Sequence, residues 1–246
     1  MIVGIEEPSL SPYLEKVLKS QSGARSSELE SVDVLLKWQA NALDLSWFNG
    51  DKKPLSLNID YLPQAQRLRS FPAPKQDGFN QALGKRTKRV LDLSGGFGAD
   101  SLLMSLQGYQ VTVVERLPLM AALIEDAFER LSQQSWLGRD SWQCPIVINL
   151  DAVDFIVESS SELFDCVYFD PMFPDKKKRS AASNKYMQFL QAFAGSDQDS
   201  ALVAQQVMDY GFNRLVVKRP AYARPLIEPM STQFSSKLVH FDVYFG

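Results

Sequence analysis

The clearest chemical signal in the sequence is a glycine-rich turn followed at a set distance by a carboxylate. Gly96-Phe-Gly98 comes after the apolar segment Val90-Leu-Asp-Leu, and such a turn lets a ligand approach the backbone at a helix N-terminus. Glu115 lies 17 residues beyond Gly98. A carboxylate about 20 residues past such glycines accepts hydrogen bonds from ribose hydroxyls. The pair predicts a nucleoside-containing cofactor, whereas the turn alone would fit an ordinary strand-to-helix connection.

The residues after this turn discriminate between nucleoside ligands. A dinucleotide-binding turn usually has a third glycine at the position of Ser101, so the pattern disfavours NAD. No Gly-Lys-Ser or Gly-Lys-Thr follows the turn, which excludes a Walker phosphate loop. NAD is therefore a weaker candidate than another nucleoside cofactor.

A second candidate group is Asp170-Pro-Met-Phe-Pro174, directly after an apolar run. It resembles the Asp-Pro-Pro-Tyr signature of methyltransferases that act on exocyclic amines of bases, with Met172 and Phe173 as departures. Such an amine is a poor nucleophile because its lone pair is delocalised into the ring. Asp170 would accept hydrogen bonds from the amine, and Phe173 would stack on the base. We therefore place Asp170, Pro171 and Phe173 in a catalytic loop that works mainly by alignment and desolvation.

Four segments together resemble one enzyme family. From about residue 55 to the C-terminus, their order and spacing are similar to those of the bacterial small-subunit (16S) ribosomal RNA guanine-N2 methyltransferases, which use S-adenosylmethionine. The resemblance implies methyl transfer to the exocyclic N2 of a guanosine, with 16S ribosomal RNA or the small ribosomal subunit as partner. The segments are Asp92-Leu-Ser-Gly-Gly-Phe-Gly-Ala-Asp100, Val114-Glu-Arg116, Tyr168-Phe-Asp-Pro-Met-Phe-Pro174 and Val216-Val-Lys-Arg-Pro220.

Contacts to S-adenosylmethionine are expected in the turns after the strands, and no metal is expected. Family members carry two small hydroxyl residues after the third strand, where this chain has Asp151 and Ala152. Asp151 would accept a hydrogen bond from the adenine amino group, or it would cap the helix that begins at Ala152. The complete set of expected cofactor contacts is Gly96, Gly98, Ala99, Asp100, Glu115, Arg116, Asp151, Ala152 and Asp170.

Basic residues are concentrated although the chain has a net charge of −3. One run precedes the first strand of this region, at Lys85, Arg86, Lys88 and Arg89, and a second follows the catalytic loop. RNA phosphates are natural partners for such runs. The target guanine must be unpaired or flipped to reach Phe173. The predicted RNA contacts are Lys176, Lys177, Lys178, Arg179, Lys218 and Arg219.

Short apolar strands alternate with helices from Arg89 onward, and these elements must position the candidate residues. Parallel neighbours need crossover connections, so this alternation predicts an α/β, doubly wound Rossmann-like sheet, and the resemblance implies that it is of the class I methyltransferase type. Its ligand site lies beyond the carboxyl ends of the strands. The predicted strands are Val90-Leu-Asp-Leu, Gln110 to Val114, Pro145 to Leu150, Phe164 to Phe169 and Arg214 to Val217, followed by a C-terminal antiparallel hairpin of Gln233 to Lys237 and Leu238 to Phe245.

The texture of the chain changes near residue 80, so we predict two domains. Residues 1–80 form a small N-terminal α+β appendage, which we expect to help dock RNA, and residues 81–246 form the methyltransferase domain. The appendage contains strand-like runs at Ile2 to Ile5, Val34 to Trp38 and Leu55 to Tyr61, and a short helix is predicted at Phe79 to Leu83.

Composition excludes several classes of function. An apolar content of 45% and a charged content of 22% are those of a soluble globular chain. A single histidine, His240, makes Ser-His-Asp hydrolysis and multi-histidine metal sites improbable. Cys144 and Cys166 form no CxxC pair, which argues against zinc sites and disulfide frameworks and fits a reducing cytoplasm. Neither a signal peptide nor an 18-residue apolar run is visible, so a cytoplasmic protein without membrane association is expected. No obligate protein partner is evident.

Three alternatives stay open on the residues alone. An amino-methyltransferase acting on adenine N6 or guanine N2 of DNA or transfer RNA would use the same catalytic loop. An NAD-dependent oxidoreductase would explain the glycine turn and Glu115 but leaves the Asp170 loop and the lysines unexplained. A non-catalytic RNA-binding module could retain the fold.

Overall fold

A computed structural model describes residues 3–6, 23–25, 34–39, 41–48, 53–68, 77–137, 142–173, 199–235 and 238–246. The predicted contacts at Lys176, Lys177, Lys178 and Arg179 lie outside these residues. The described strands are β1 (Val3–Glu6), β2 (Gly23–Arg25), β3 (Val34–Gln39), β4 (Ala42–Trp47), β5 (Leu55–Leu57), β6 (Arg89–Asp92), β7 (Gln110–Val114), β8 (Ile146–Ile148), β9 (Cys166–Phe169), β10 (Arg214–Pro220), β11 (Thr232–Ser235) and β12 (Val239–Phe245). The helices are α1 (Leu62–Leu68), α2 (Asp77–Leu83), α3 (Ala99–Leu106), α4 (Pro118–Ser132), α5 (Ala152–Glu158) and α6 (Ser200–Asp209).

The larger sheet has the order β11-β12-β10-β9-β6-β7-β8. Strands β6 to β10 pair in parallel, as expected for strands that crossover segments connect. Strand β12 pairs antiparallel with both β10 and β11. The doubly wound fold and its C-terminal hairpin are thus confirmed. Strand β10 extends beyond the predicted Val217, since β12 pairs with all seven of its residues.

Alternate residues of the central strands supply two cores, one on each face of this sheet. Val90 and Tyr168 face a core that includes α3 and α4, whereas Leu91 and Val167 face one that includes α5 and α6. This follows from the two-residue period of a strand whose faces are both covered. The sequence analysis did not predict α6, whose Val203, Ala204 and Val207 are buried in the second core.

The N-terminal region forms a separate five-stranded sheet of order β2-β1-β3-β4-β5. Leu55 to Tyr61 was predicted as one strand, but β5 ends at Leu57 and Tyr61 immediately precedes α1. Strand β4 was missed in the sequence, although Leu43 and Leu45 are almost fully buried. The division at residue 80 stays a prediction.

The two sheets share one hydrophobic core. Leu43 and Leu45 of β4 belong to the same buried cluster as α4, and the Tyr61 and Phe128 rings lie 4.7 Å apart. The Leu43 N–H donates to the Asp126 carboxylate of α4 at 3.2 Å, and Arg130 donates to that carboxylate at 2.9 Å. None of the described helices is long and apolar enough to cross a membrane.

Asp126→Ala should weaken this junction. The variant leaves the buried Leu43 N–H without its acceptor, and an unsatisfied buried donor costs about 1–3 kcal/mol. We expect a loss of that size in the free energy of unfolding measured with urea. Glu129→Ala, at an exposed position of the same helix, is the control and should change stability little. Equal stability of the two variants would contradict the role given to Asp126.

Candidate functional site

The site lies where β6 and β9, which pair side by side in the sheet, reach their carboxyl ends. The buried Asp92 ends β6, and one of its oxygens accepts from the backbone N–H of Ser94 at 2.9 Å and from the Ser94 hydroxyl at 3.0 Å. The other oxygen accepts from the Ser101 hydroxyl at the start of α3. The Ser94 hydroxyl also accepts from the Asp170 N–H at 2.7 Å. These bonds fix the glycine turn and the catalytic loop relative to each other.

The glycine turn needs glycine for two different reasons. Gly96 and Gly98 have positive φ values of 52° and 65°, a region that side chains disfavour. At Gly98, a side chain would also occupy the position of the Tyr61 hydroxyl, which donates to the Phe97 carbonyl at 2.9 Å. The close approach at Gly98 is therefore to Tyr61 of the N-terminal region.

Glu115 closes the turn from β7. Its two carboxylate oxygens accept from the N–H groups of Gly96 at 2.8 Å and Leu117 at 2.7 Å. Burial raises the pKa of Glu115, and these two backbone donors only partly oppose that effect. Gly95 must also lack a side chain, because a Cβ there would lie 2.8 Å from the Glu115 Cβ. Each carboxylate oxygen still has a second lone pair for a ribose hydroxyl.

An open cleft joins most of the predicted cofactor residues. Its empty space, counted together with the open solvent at its mouth, is about 690 Å³. Gly96, Glu115, Arg116, Asp151, Ala152 and Asp170 line it, together with Met172 and the apolar Leu93, Val114, Leu150, Phe169 and Val203. Gly98, Ala99 and Asp100 are not among the lining residues, so their cofactor contacts stay predictions. An apolar cleft with carboxylates at its polar points fits a nucleoside ligand.

Asp151 and Arg116 line the cleft and also contact other residues of the chain. Asp151 is the N-cap of α5 and accepts from the Val153 N–H at 2.9 Å, so the capping alternative is confirmed. Its other oxygen is left for an adenine amino group, and that contact stays a prediction. Arg116 lies 3.5 Å from Asp199, the residue before α6, which also lines the cleft.

Asp170 lies in a compact group of charged and polar side chains. Lys218 Nζ of β10 lies 2.8 Å from the Asp170 carboxylate and 2.6 Å from that of Asp100. The Tyr168 hydroxyl donates to the same Asp100 oxygen at 2.6 Å. Pro171 is buried, and Phe173 is half-buried against the second core.

Burial raises the pKa of Asp170 to about 6, with Lys218 opposing the rise and Asp100 adding to it. Burial alone would lower the pKa of Lys218, but the Asp170 and Asp100 carboxylates more than offset this, so its pKa is raised. Lys218 is therefore an ammonium ion, and Asp170 is mostly a carboxylate at neutral pH.

The structure corrects the RNA contact predicted at Arg219 and gives Lys218 other partners. Arg219 is 4% exposed and forms a two-pronged ion pair with the buried Asp242, while also donating to the Ala223 carbonyl. A side chain so enclosed does not reach RNA phosphates. Lys218 points into the site between two carboxylates rather than out to solvent. Strand alternation explains why these neighbours point to opposite faces.

Sequence reasoning missed three residues that shape the site. Ser94 was passed over inside the glycine turn, Tyr61 was placed in a strand, and Asn149 was not considered. Asn149 donates to the carbonyls of Glu115 and Arg116 at 2.8 and 3.1 Å, tying the end of β8 to the end of β7. The position of Ser94 directly after the predicted strand Val90-Leu-Asp-Leu was a usable signal, whereas Asn149 lay inside the predicted strand Pro145 to Leu150.

Comparison with known proteins agrees with this geometry. Residues 22–246 match the family model described as putative SAM-dependent methyltransferase. The chain belongs to this family. Members of this family depend on S-adenosylmethionine, which confirms the predicted cofactor and the predicted enzyme class, a methyltransferase. The family contradicts the alternative of a nicotinamide-dependent oxidoreductase. When bound, S-adenosylmethionine supplies an electrophilic methyl group, and the cleft residues Glu115 and Asp151 would hold its nucleoside.

Curated methyltransferase relatives share the name ribosomal RNA small subunit methyltransferase J. The protein from Bdellovibrio bacteriovorus is 35% identical over 173 residues, which cover 69% of this chain and 66% of that protein. The protein from Saccharophagus degradans is 34% identical over 209 residues, covering 78% and 77%. A crystal structure of a SAM-dependent methyltransferase from Neisseria gonorrhoeae superposes with a TM-score of 0.71 at 19% identity, covering 100% of this chain and 96% of that one, and confirms the fold.

Gly98→Ala should destabilise this methyltransferase more than left-handed backbone strain alone explains. Gly211→Ala is the matched control, because Gly211 has a φ of 75° and no atom within 4 Å of an added Cβ. We expect about 1–2 kcal/mol for the control and a clearly larger loss for Gly98→Ala. Tyr61→Phe in the Gly98→Ala background should recover part of the difference in chemical denaturation. Equal losses for the two alanine variants would contradict the collision with Tyr61.

Glu115→Gln should weaken cofactor binding. The amide keeps one acceptor oxygen, so the N–H of Gly96 or that of Leu117 loses its partner and the turn loses its closure. A hydrogen bond to a charged group contributes about 1.5–3 kcal/mol, which corresponds to about a 10- to 100-fold rise in the Kd of S-adenosylhomocysteine. Calorimetry would measure this, with the exposed Glu158→Gln as control. Unchanged affinity in Glu115→Gln would remove Glu115 from the binding site.

Proposed function

We propose that this protein transfers the methyl group of S-adenosylmethionine to the exocyclic N2 of a guanosine in small-subunit (16S) ribosomal RNA, in the cytoplasm. The observation that carries the proposal is Asp170 at the edge of the cofactor cleft, where its backbone N–H donates to Ser94 and its carboxylate pairs with Lys218. The names of the curated relatives support a small-subunit ribosomal RNA as substrate.

Asp170 orients the amine by accepting hydrogen bonds from its protons. Lys218 pairs with Oδ2 of Asp170, so the carboxylate keeps lone pairs that can accept from an amino group. The backbone N–H of Asp170 already donates to the Ser94 hydroxyl. Phe173 is partly exposed beside this loop and offers a ring face to the base. The apolar neighbours Phe169 and Val203 line the cleft beside Asp170.

The reaction needs alignment and one proton acceptor. S-adenosylmethionine, held by Glu115 and Asp151, would supply the methyl group to N2, and the electron pair of the broken carbon–sulfur bond would stay on sulfur. The methylated nitrogen then carries an extra proton, which Asp170 accepts and passes to water. A carboxylate with a pKa of about 6 suits this transfer near neutral pH.

RNA binding requires positive charge outside the cleft. We propose the run Lys176, Lys177, Lys178 and Arg179 as the phosphate contact, because it follows the catalytic loop closely in sequence. Docking of RNA by the N-terminal region is a second part of the proposal. An amino-methyltransferase of DNA or transfer RNA would use the same catalytic loop, but the names of the curated relatives favour small-subunit ribosomal RNA.

Asp170→Asn should abolish most methyl transfer. The amide loses one acceptor and cannot take up the amine proton, and loss of a positioned proton acceptor typically costs 10²- to 10⁴-fold. We expect kcat to fall by about a hundredfold or more in tritium transfer to small subunits from cells that lack the protein. In the wild type, kcat/KM should decline as the pH falls below about 6, where Asp170 becomes protonated.

Asp154→Asn, at an exposed position of α5, is the matched control and should retain full activity. Nucleoside digestion of the labelled RNA should yield N2-methylguanosine. Full methyl transfer by Asp170→Asn would overturn the mechanism. Label in transfer RNA or DNA but not in small-subunit RNA would overturn the proposed substrate, and cofactor binding without turnover on any nucleic acid would indicate a non-catalytic RNA-binding module.

A further inference from the structure

Lys218 lies in the interior of the site, between two carboxylates from different parts of the chain. Its Nζ contacts Asp100 of α3 at 2.6 Å and Asp170 after β9 at 2.8 Å. The Lys218 side chain is 24% exposed, compared with 36% for Asp170. An ammonium group has three donors, and two of them are used inside the protein. This arrangement suits the organisation of the site better than contact with an RNA phosphate.

The surroundings of Asp170 are strongly negative apart from Lys218. Asp100 and Asp92 both raise the pKa of Asp170, and burial is the largest contribution in the same direction. Lys218 opposes these effects. Among the described residues, the other groups that face this cluster are neutral hydroxyls, since Tyr168 donates to Asp100 and Ser94 bonds to Asp92 and to the Asp170 backbone. Removing the ammonium would leave like charges uncompensated at short range.

We propose that Lys218 is a positioning residue of the methyltransferase, whose ammonium bridges Asp100 and Asp170, keeps the Asp170 carboxylate ionised, and fixes its direction toward the substrate amine. The inference rests on the proposed function, because it assigns Lys218 a role through Asp170. It also links the two ends of the site, since Asp100 begins the helix that follows the glycine turn and Asp170 begins the catalytic loop.

The position of Lys218 on a neighbouring strand also fixes the geometry of the bridge between Asp100 and Asp170. Lys218 belongs to β10, and its neighbour Val217 pairs with Phe169, the residue before Asp170. The lysine therefore reaches its partner across adjacent strands of the sheet. Tyr168 and Lys218 both donate to the same oxygen of Asp100, so this carboxylate is held from β9 and β10 together. A cation at this position orients both carboxylates without a flexible loop.

The test compares Lys218→Met with Lys218→Arg and with the control Arg224→Met, which removes one charge from an exposed position after β10, outside both basic runs. The pH profile of kcat/KM separates positioning from RNA binding. For Lys218→Met we expect the acid limb to move up by about one pH unit, which means about a fivefold loss of ionised Asp170 at pH 6, from a pKa of about 6 in the wild type. Lys218→Arg should keep the wild-type limb at lower kcat, and Arg224→Met should match the wild type.

A direct titration makes the inference independent of turnover. Carboxyl-¹³C aspartate labelling, with Asp170→Asn to assign the resonance, measures the ionisation of Asp170 in the wild type and in Lys218→Met. An Asp170 titration that moves to higher pH in Lys218→Met supports the inference even if no RNA is methylated, in which case only the proposed function fails. An unchanged Asp170 titration overturns it. A loss confined to the KM for RNA, with a weaker salt dependence, would also overturn it and return Lys218 to phosphate binding.

Discussion

The buried Asp92 carboxylate is the interaction on which the rest of the site depends. It is 2% exposed, yet hydrogen bonds from Ser94 and Ser101 satisfy both of its oxygens. Burying a carboxylate costs free energy unless both of its oxygens are hydrogen-bonded. Ser94, Ser101 and the elements that carry them must therefore fold together around Asp92. Through Ser94, the same group determines where the catalytic loop begins. The glycine turn, α3 and the Asp170 loop are therefore parts of a single hydrogen-bonded unit.

The charge of this edge of the sheet separates the two ligands of the reaction. Asp92, Asp100, Glu115 and Asp170 lie at this edge, and the Lys218 ammonium pairs with two of them, Asp100 and Asp170. A negative cleft favours a cofactor that carries a positive sulfonium, whereas it repels the phosphates of a nucleic acid. The polyanion must be attracted by positive charge elsewhere on the protein, so that only the target base enters the cleft.

The sequence predicted the parallel sheet and the cleft well, and it failed where partners are distant along the chain. The buried parallel strands were visible because both of their faces are covered and they form continuous apolar runs. Glu115 and Asp170 were found because their position after a strand is a local pattern. The ion pair of Lys218 with Asp100 was not foreseen because the two residues lie 118 positions apart, and Arg219 was misread because Asp242 comes from a different strand. Strand β4 was missed because its alternating pattern, Ala-Leu-Asp-Leu-Ser-Trp, is short and gives no chemistry of its own.

The contact between Tyr61 and the glycine turn makes the N-terminal sheet a thermodynamic partner of the cofactor. Tyr61 bonds to Phe97 within the turn and packs on Phe128 beside β4. A cofactor that orders the turn therefore also favours the ordered N-terminal sheet, and linkage requires the effect to be equal in the reverse direction. A ligand that stabilises the N-terminal sheet, such as a bound RNA, will therefore strengthen cofactor binding by the same free energy.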